Sequence, residues 1–233
     1  MRILCIVGVF HVLTGIGLAV SQEMDWKFLF DGETLDGWSI HSGYAKYHIE
    51  DGAIVGTSVP NSPNTFLCTD EEFSNFILEF EVLLVSPELN SGVQFRSKIA
   101  PEALTFWIRD NEGHPAPRKI PKDRVYGYQV EIANEEGGAS GGVYDEARRA
   151  FMIYRPIAGS AAFGAFKNNQ WNKYRVECNG MSIKTFINGI PCADFEDAIT
   201  SDGIIGLQVH GVGEDTTPYQ VKWRNIRIKE LDN

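Results

Sequence analysis

The feature that most limits the fold of this chain is the period of its apolar residues. They alternate with polar ones in short runs, and no segment long enough for a helix carries the helical period. Runs at 65–68, 75–85, 92–97, 127–133, 171–178, 181–187, 203–210 and 221–229 each read as a strand, with successive side chains on opposite faces. In YHIEDGAIVGTS (47–58), Glu50-Asp51-Gly52 divides two alternating runs and predicts a hairpin. In WNKYRVECNGMSIKTFINGIPCADF, Asn179-Gly180 and Asn188-Gly189 predict tight turns joining three strands. That register sets Cys178 opposite Met181 and Cys192 opposite Thr185. Strands at this spacing, with no helices between them, predict an all-β fold: a jelly-roll β-sandwich of two antiparallel sheets. Two long connections, 98–126 and 134–170, read as functional loops, because they carry Trp107, Tyr144 and several arginines.

The bulk balance agrees with a packed protein. Hydrophobic residues make up 43% and charged residues 22%, which excludes a disordered chain. A net charge of −10 argues against a nucleic acid or an anionic membrane surface as partner. The first residues, MRILCIVGVFHVLTGIGLAVSQ, combine Arg2, an apolar stretch and small residues at Ala19-Val20-Ser21. This predicts a signal peptide over 1–21 and a mature chain, 22–233, forming one domain with no membrane span. The expected location is therefore secreted or periplasmic. Removing the leader leaves Cys68, Cys178 and Cys192, an odd number. The predicted register puts Cys178 and Cys192 about 13 Å apart along the strands, too far for a disulfide. All three read as buried small apolar residues.

Three strands share a second pattern. Residues 92–97 read GVQFRS, 127–132 read GYQVEI and 206–211 read GLQVHG. Each opens with glycine and has one apolar face. On the other face stands a glutamine, followed two residues later by an ionisable group: Gln94 with Arg96, Gln129 with Glu131, Gln208 with His210. If the strands are neighbours, these six side chains line one surface. That set can hydrogen-bond sugar hydroxyls and still supply a base and an electrophile. Elsewhere, Glu79, Glu81, Arg175 and Glu177 read as structural charge pairs across strands. Glu79 and Glu81 stand about 7 Å apart by the strand rise, within the range of an inverting glycosidase, but one strand seldom supplies both catalytic groups.

Together, several motifs resemble the 3-keto-disaccharide hydrolase domain family. They are LFDGETLDGW, Asn90-Ser91-Gly92-Val93-Gln94-Phe95-Arg96, Gly127-Tyr128-Gln129-Val130-Glu131, Gly142-Val143-Tyr144-Asp145, Trp171-Asn172, Asn188-Gly189, Gly206-Leu207-Gln208-Val209-His210 and the closing RNIRIKEL. The resemblance covers nearly all of the predicted mature chain. It implies a concanavalin A-like lectin/glucanase fold with the ligand site on the concave sheet, and cleavage of 3-keto-glycosides or 3-keto-disaccharides. The segment WIRDNEGHPAPRK departs from the family's pattern.

A ketone at C3 of a sugar acidifies the hydrogen on C2. A base removes that proton, the enolate expels the aglycone from C1, and water adds back. The expected roles are Glu131 or His210 as base and Arg96 as enolate stabiliser. Asn90, Gln94, Gln129 and Gln208 are expected to hold the substrate, with Tyr144 as acid or sugar contact and Trp107 as an aromatic contact. No cofactor is certain; a divalent metal held by Glu131 and His210 is the alternative to Arg96. The competing expectation is a lectin-like module that binds carbohydrate without chemistry.

Overall fold

The computed structural model describes residues 25–109 and 112–232, so the predicted signal peptide lies outside the described residues. Seventeen strands follow one another: β1 (Lys27–Phe28), β2 (Trp38–His41), β3 (Lys46–Glu50), β4 (Ala53–Thr57), β5 (Thr65–Thr69), β6 (Phe76–Leu84), β7 (Ser91–Ile99), β8 (Leu104–Arg109), β9 (Pro115–Ile120), β10 (Val125–Ile132), β11 (Val143–Glu146), β12 (Met152–Tyr154), β13 (Asn172–Asn179), β14 (Ser182–Ile187), β15 (Ile190–Glu196), β16 (Ile204–Val209) and β17 (Gln220–Glu230). One short 3-10 turn, Glu135–Gly137, interrupts them. Among the described residues no helix is long and apolar enough to cross a membrane.

Two antiparallel sheets form the sandwich. The front sheet runs β12-β11-β10-β7-β16-β5-β2, and the back sheet runs β15-β14-β13-β6-β17-β4-β3 with β1 added against β17. The core lies between them. From the front sheet come Val93, Phe95, Tyr128, Val130, Ile132, Leu207 and Val209; from the back, Leu78, Phe80, Val82, Tyr174, Val176 and Trp223. Each such side chain stabilises the fold by about 1.5–3 kcal/mol when fully buried. Phe95 stacks on Tyr128 at 5.6 Å and Phe80 on Tyr174 at 5.1 Å. Cys68, Cys178 and Cys192 are free and buried.

Four expectations need correction. The first connection is no bare loop: β8 and β9 pair as a separate ribbon. Pro115 and Pro117 lie in β9, and both strands of a two-stranded ribbon are edges, where proline is tolerated. Leu104, Phe106 and Ile120 turn inward onto Ala100, Ala147 and Tyr126. The second connection contains β11 and β12, which extend the front sheet. The turn after β13 is Gly180-Met181 rather than Asn179-Gly180, so Asn179 pairs with Ser182 and Cys178 with Ile183. In β15 an irregularity falls at Cys192, so Thr185 faces Ala193.

Candidate functional site

The three glutamine strands are consecutive neighbours in the front sheet: β10, β7 and β16. Gln129 pairs with Gln94, and Gly92 sits between Glu131 on one side and Gln208 on the other. Their apolar residues face the core, so their polar residues merge on the outer, cleft-bearing face. A Cβ at Gly92 would lie 2.4 Å from the Gln129 side chain. Only glycine leaves Gln129 room to lie across that position.

A cleft of about 320 Å³ opens over this face, lined by Asn64, Asn90, Gln129, Glu131, Tyr144, Glu146, Met152, Gln208 and His210. Six of the expected site residues are thus brought to one place: Asn90, Gln129, Glu131, Tyr144, Gln208 and His210. Gln94 lies just beneath, fully buried, and gives its amide hydrogen to Gln129 Oε1 at 2.6 Å.

Glu131 is only 6% exposed. It accepts hydrogen bonds from Gln129 Nε2 at 2.8 Å and Asn90 Nδ2 at 3.4 Å, and forms no ion pair among the described residues. Burial pushes its carboxyl up to about 7, against the pull of those two hydrogen bonds; the Glu146 charge adds to the rise. Glu146 is buried beside it but differently held. Arg124 ion-pairs with it, and Asn64 Nδ2 approaches its Oε1 at 3.5 Å. Two carboxylates in one cleft therefore have unlike surroundings, which is how one site assigns different roles to the same chemical group.

His210 donates from Nδ1 to the Gly211 carbonyl at 2.8 Å, which leaves Nε2 as the accepting nitrogen of the neutral ring. Tyr144 faces the cleft from β11, opposite Gln129. Burial raises its phenol, so it stays a proton donor through neutral pH. The Gln208 amide is fully buried, and neither its nitrogen nor its oxygen has a hydrogen-bond partner among the described residues. An unmet buried amide costs about 1–3 kcal/mol. A ligand in the cleft is the natural partner for it.

Two expected residues are elsewhere. Arg96 has φ 45° and sits in a bulge, where Phe95 and Arg96 together face one residue of β16. The extra residue breaks the alternation, so Arg96 turns away from the cleft. It is fully buried and donates to the carbonyls of Ser74 and Gly180, each at 2.7 Å, and to Asn75 Oδ1 at 2.9 Å. It anchors two turns and does not face substrate. Trp107 is 73% exposed on the β8–β9 ribbon. It pairs with Pro117, while Arg118 at the next position turns the other way and bonds the Ala147 carbonyl, so Trp107 faces out.

The cation beside the cleft is Arg124, which sequence reasoning did not single out. Its guanidinium crosses the Phe66 ring at 5.6 Å and bonds the Asn64 carbonyl as well as Glu146. Asp123 pins its loop by accepting from His41 Nδ1 at 2.6 Å. Glu146 was legible in principle, because it lies two residues after Tyr144 on the same alternating face. Asn64 and Arg124 arrive from loops and left no periodic signal. Glu131 and His210 share the cleft, but among the described residues no group of three His, Cys, Asp or Glu converges as metal ligands.

The fold is shared with solved structures of other proteins. A candidate glycosyl hydrolase from Parabacteroides distasonis ATCC 8503 is 17% identical over 91% of this chain and 97% of its own, with a TM-score of 0.57. The carbohydrate-binding module CBM66 from Bacillus subtilis is 16% identical over 83% of this chain and 96% of its own, TM-score 0.55. The Crh5 transglycosylase is 12% identical over 89% and 84%, TM-score 0.55. At such identities the likeness is one of fold. No curated protein matches the chain. The family profile described as "3-keto-alpha-glucoside-1,2-lyase-like domain" matches residues 25–229, bearing out the resemblance carried by the motifs. The chain therefore belongs to the 3-keto-alpha-glucoside-1,2-lyase-like domain family.

Proposed function

We propose that this protein cleaves glycosides of 3-keto sugars outside the cytoplasm, by elimination followed by hydration. The observation that carries the reading is Glu131: a buried carboxylate at the cleft, with no ion pair among the described residues and raised to about 7. That is the condition of a base that works near neutral pH. Glu131 takes the C2 proton, and the electron pair passes into the C3 carbonyl as an enolate. The enolate collapses to expel the aglycone oxygen from C1, leaving a C1–C2 double bond. Tyr144, which keeps its proton through neutral pH, protonates the departing oxygen. Water then adds at C1 while C2 regains a proton, and the sum is hydrolysis. The unpartnered Gln208 amide supplies a hydrogen-bond donor for the substrate's oxygen. The pairing of Glu146 with Arg124 supports this division of labour, since it leaves Glu131 as the unpaired acid.

One observation favours a second reading, a binding module without turnover. Four amide side chains line or floor the cleft (Asn64, Asn90, Gln129 and Gln208), and amides hold sugar hydroxyls without chemistry. The test compares aglycone release from a chromogenic 3-keto-glucoside and from its unoxidised parent. Release from the ketone alone supports elimination. Binding of either sugar without release supports the module. Release from the parent at an equal rate rejects the base-driven route.

A further inference from the structure

A line of four buried side chains runs from behind the cleft to its wall. Ser97 Oγ donates to Gln94 Oε1 at 2.8 Å, Gln94 Nε2 donates to Gln129 Oε1 at 2.6 Å, and Gln129 Nε2 donates to Glu131 Oε1 at 2.8 Å. None of the four is more than 6% exposed, so water does not compete for these groups. An amide accepts at one end and donates at the other. Orienting the first amide therefore orients the second, and the carboxylate at the end receives an N–H. The opposite polarity would aim the Gln129 carbonyl oxygen at Glu131 and suits only the protonated acid. Ser97 has carbonyl alternatives for its proton, Tyr128 at 3.0 Å and Phe95 at 3.2 Å, so its choice of acceptor sets the polarity of the whole line.

The line depends on the bulge. Strict alternation along β7 would bury Ser97 in the core and turn Arg96 to the cleft face. The left-handed Arg96 inserts one residue and brings Ser97 onto the face of Gln94. Gly127, at φ 130°, makes room: a Cβ there would lie 2.8 Å from Ser97 Oγ. We infer that Ser97 and Gln94 are positioning residues that act through Gln129 to hold Glu131 in its ionised, proton-accepting form, and that the Arg96 bulge places Ser97 at the head of the line. The inference deepens the proposed role of Glu131 and rests on it. Neither residue touches the substrate; Gln94 lies beneath the lining of the cleft.

Other groups also face Glu131. Glu146 and Tyr144 approach from β11, Asn90 from before β7, and His210 from the end of β16; Arg155, beyond β12, favours the charged form through space. The test must therefore change the line and leave these alone. Ser97→Ala removes the orienting hydroxyl, and Gln94→Leu breaks the line at similar volume. The Glu131 carboxyl is followed by carbon-13 NMR against pH, its signal identified by loss in Glu131→Gln. A hydrogen bond to a charged group is worth about one pH unit or more. The midpoint is expected to rise by about one unit in Gln94→Leu and by less in Ser97→Ala. The acid limb of aglycone release moves the same way, with kcat falling at low pH and KM little changed. A midpoint unmoved in Ser97→Ala overturns the inference, even if Gln94→Leu fails to fold. A wild-type protein that releases no aglycone rejects the proposed activity instead, and the NMR titration still judges the line.

Discussion

Two faces of this sandwich carry glutamates on alternating strands, and they behave in opposite ways. On the outer face of the back sheet, Glu79 is held by Arg227 at 2.7 Å, Arg175 at 3.0 Å and Lys173 at 3.7 Å, and Glu81 by Arg224 at 2.8 Å. Burial works against ionisation of Glu79, but its arginine hydrogen bonds and neighbouring cations outweigh it and hold the carboxyl below the usual range. On the cleft face, the Glu131 carboxylate takes its hydrogen bonds from the amides of Gln129 and Asn90, has no ion pair among the described residues, and rises to about 7. Cavity size does not separate the two, since a cleft of about 300 Å³ beside Glu79 and Glu81 matches the one of about 320 Å³ beside Glu131. The difference lies in the partners. Three cations make a carboxylate a structural clamp, whereas neutral donors and burial leave one able to take and release a proton near pH 7. This disposes of Glu79 and Glu81 as a glycosidase pair.

The comparison can be broken at several points. Glu131→Gln is expected to lower aglycone release from a 3-keto-glucoside by about 10²–10⁴-fold, the usual worth of a positioned base, while circular dichroism stays unchanged. Release by the wild type should rise with pH through about 7, because the base works only when ionised. The same group has a stability cost of definite sign. A carboxyl raised from 4.5 to about 7 binds more protons folded than unfolded across that window, so stability falls as pH rises through it. Above that window Glu131→Gln should be the more stable protein, by up to about 3 kcal/mol, and below pH 4.5 the advantage should vanish. Denaturant titrations at pH 4 and pH 8 check this; an equal difference at both pH values contradicts it.

Arg96→Ala should cost about 3 kcal/mol in a chemical melt, because it strips three hydrogen bonds from buried turns. If Arg96 instead met the substrate, release would fail with stability intact. Glu79→Gln is a milder break. It should cost about 1 kcal/mol at neutral pH and leave release unchanged. The contribution of Glu79 is complete above the ordinary carboxylate range and is lost as pH falls through its lowered value, so the variant and the wild type should converge in acid. Trp107→Ala is the smallest change. An outward-facing side chain on the ribbon should alter stability by less than about 0.5 kcal/mol and leave release as it was. A large loss of release would instead give the ribbon a place over the cleft.

Much of this was present in local pattern. A period of two is a property of the backbone, so Val93, Tyr128, Val130, Ile132 and Leu207 announced a buried face, and Gln129, Glu131 and Gln208 announced the opposite one. Glycine and asparagine turns marked where the strands end. What the pattern could not carry was anything decided at a distance. The adjacency of β10, β7 and β16 joins residues far apart in the chain. The Arg96 bulge exists only because neighbouring strands make space for it, and it exchanged an expected arginine in the cleft for Ser97 behind it. Arg124 and Asn64 reach Glu146 from loops, with no period to announce them. The sequence alone thus determined which residues face the cleft along a regular strand, because alternation is local. The tertiary structure alone decided which of those carboxylates stands without a cation, because charge partners and burial are set by strands that meet only in the fold.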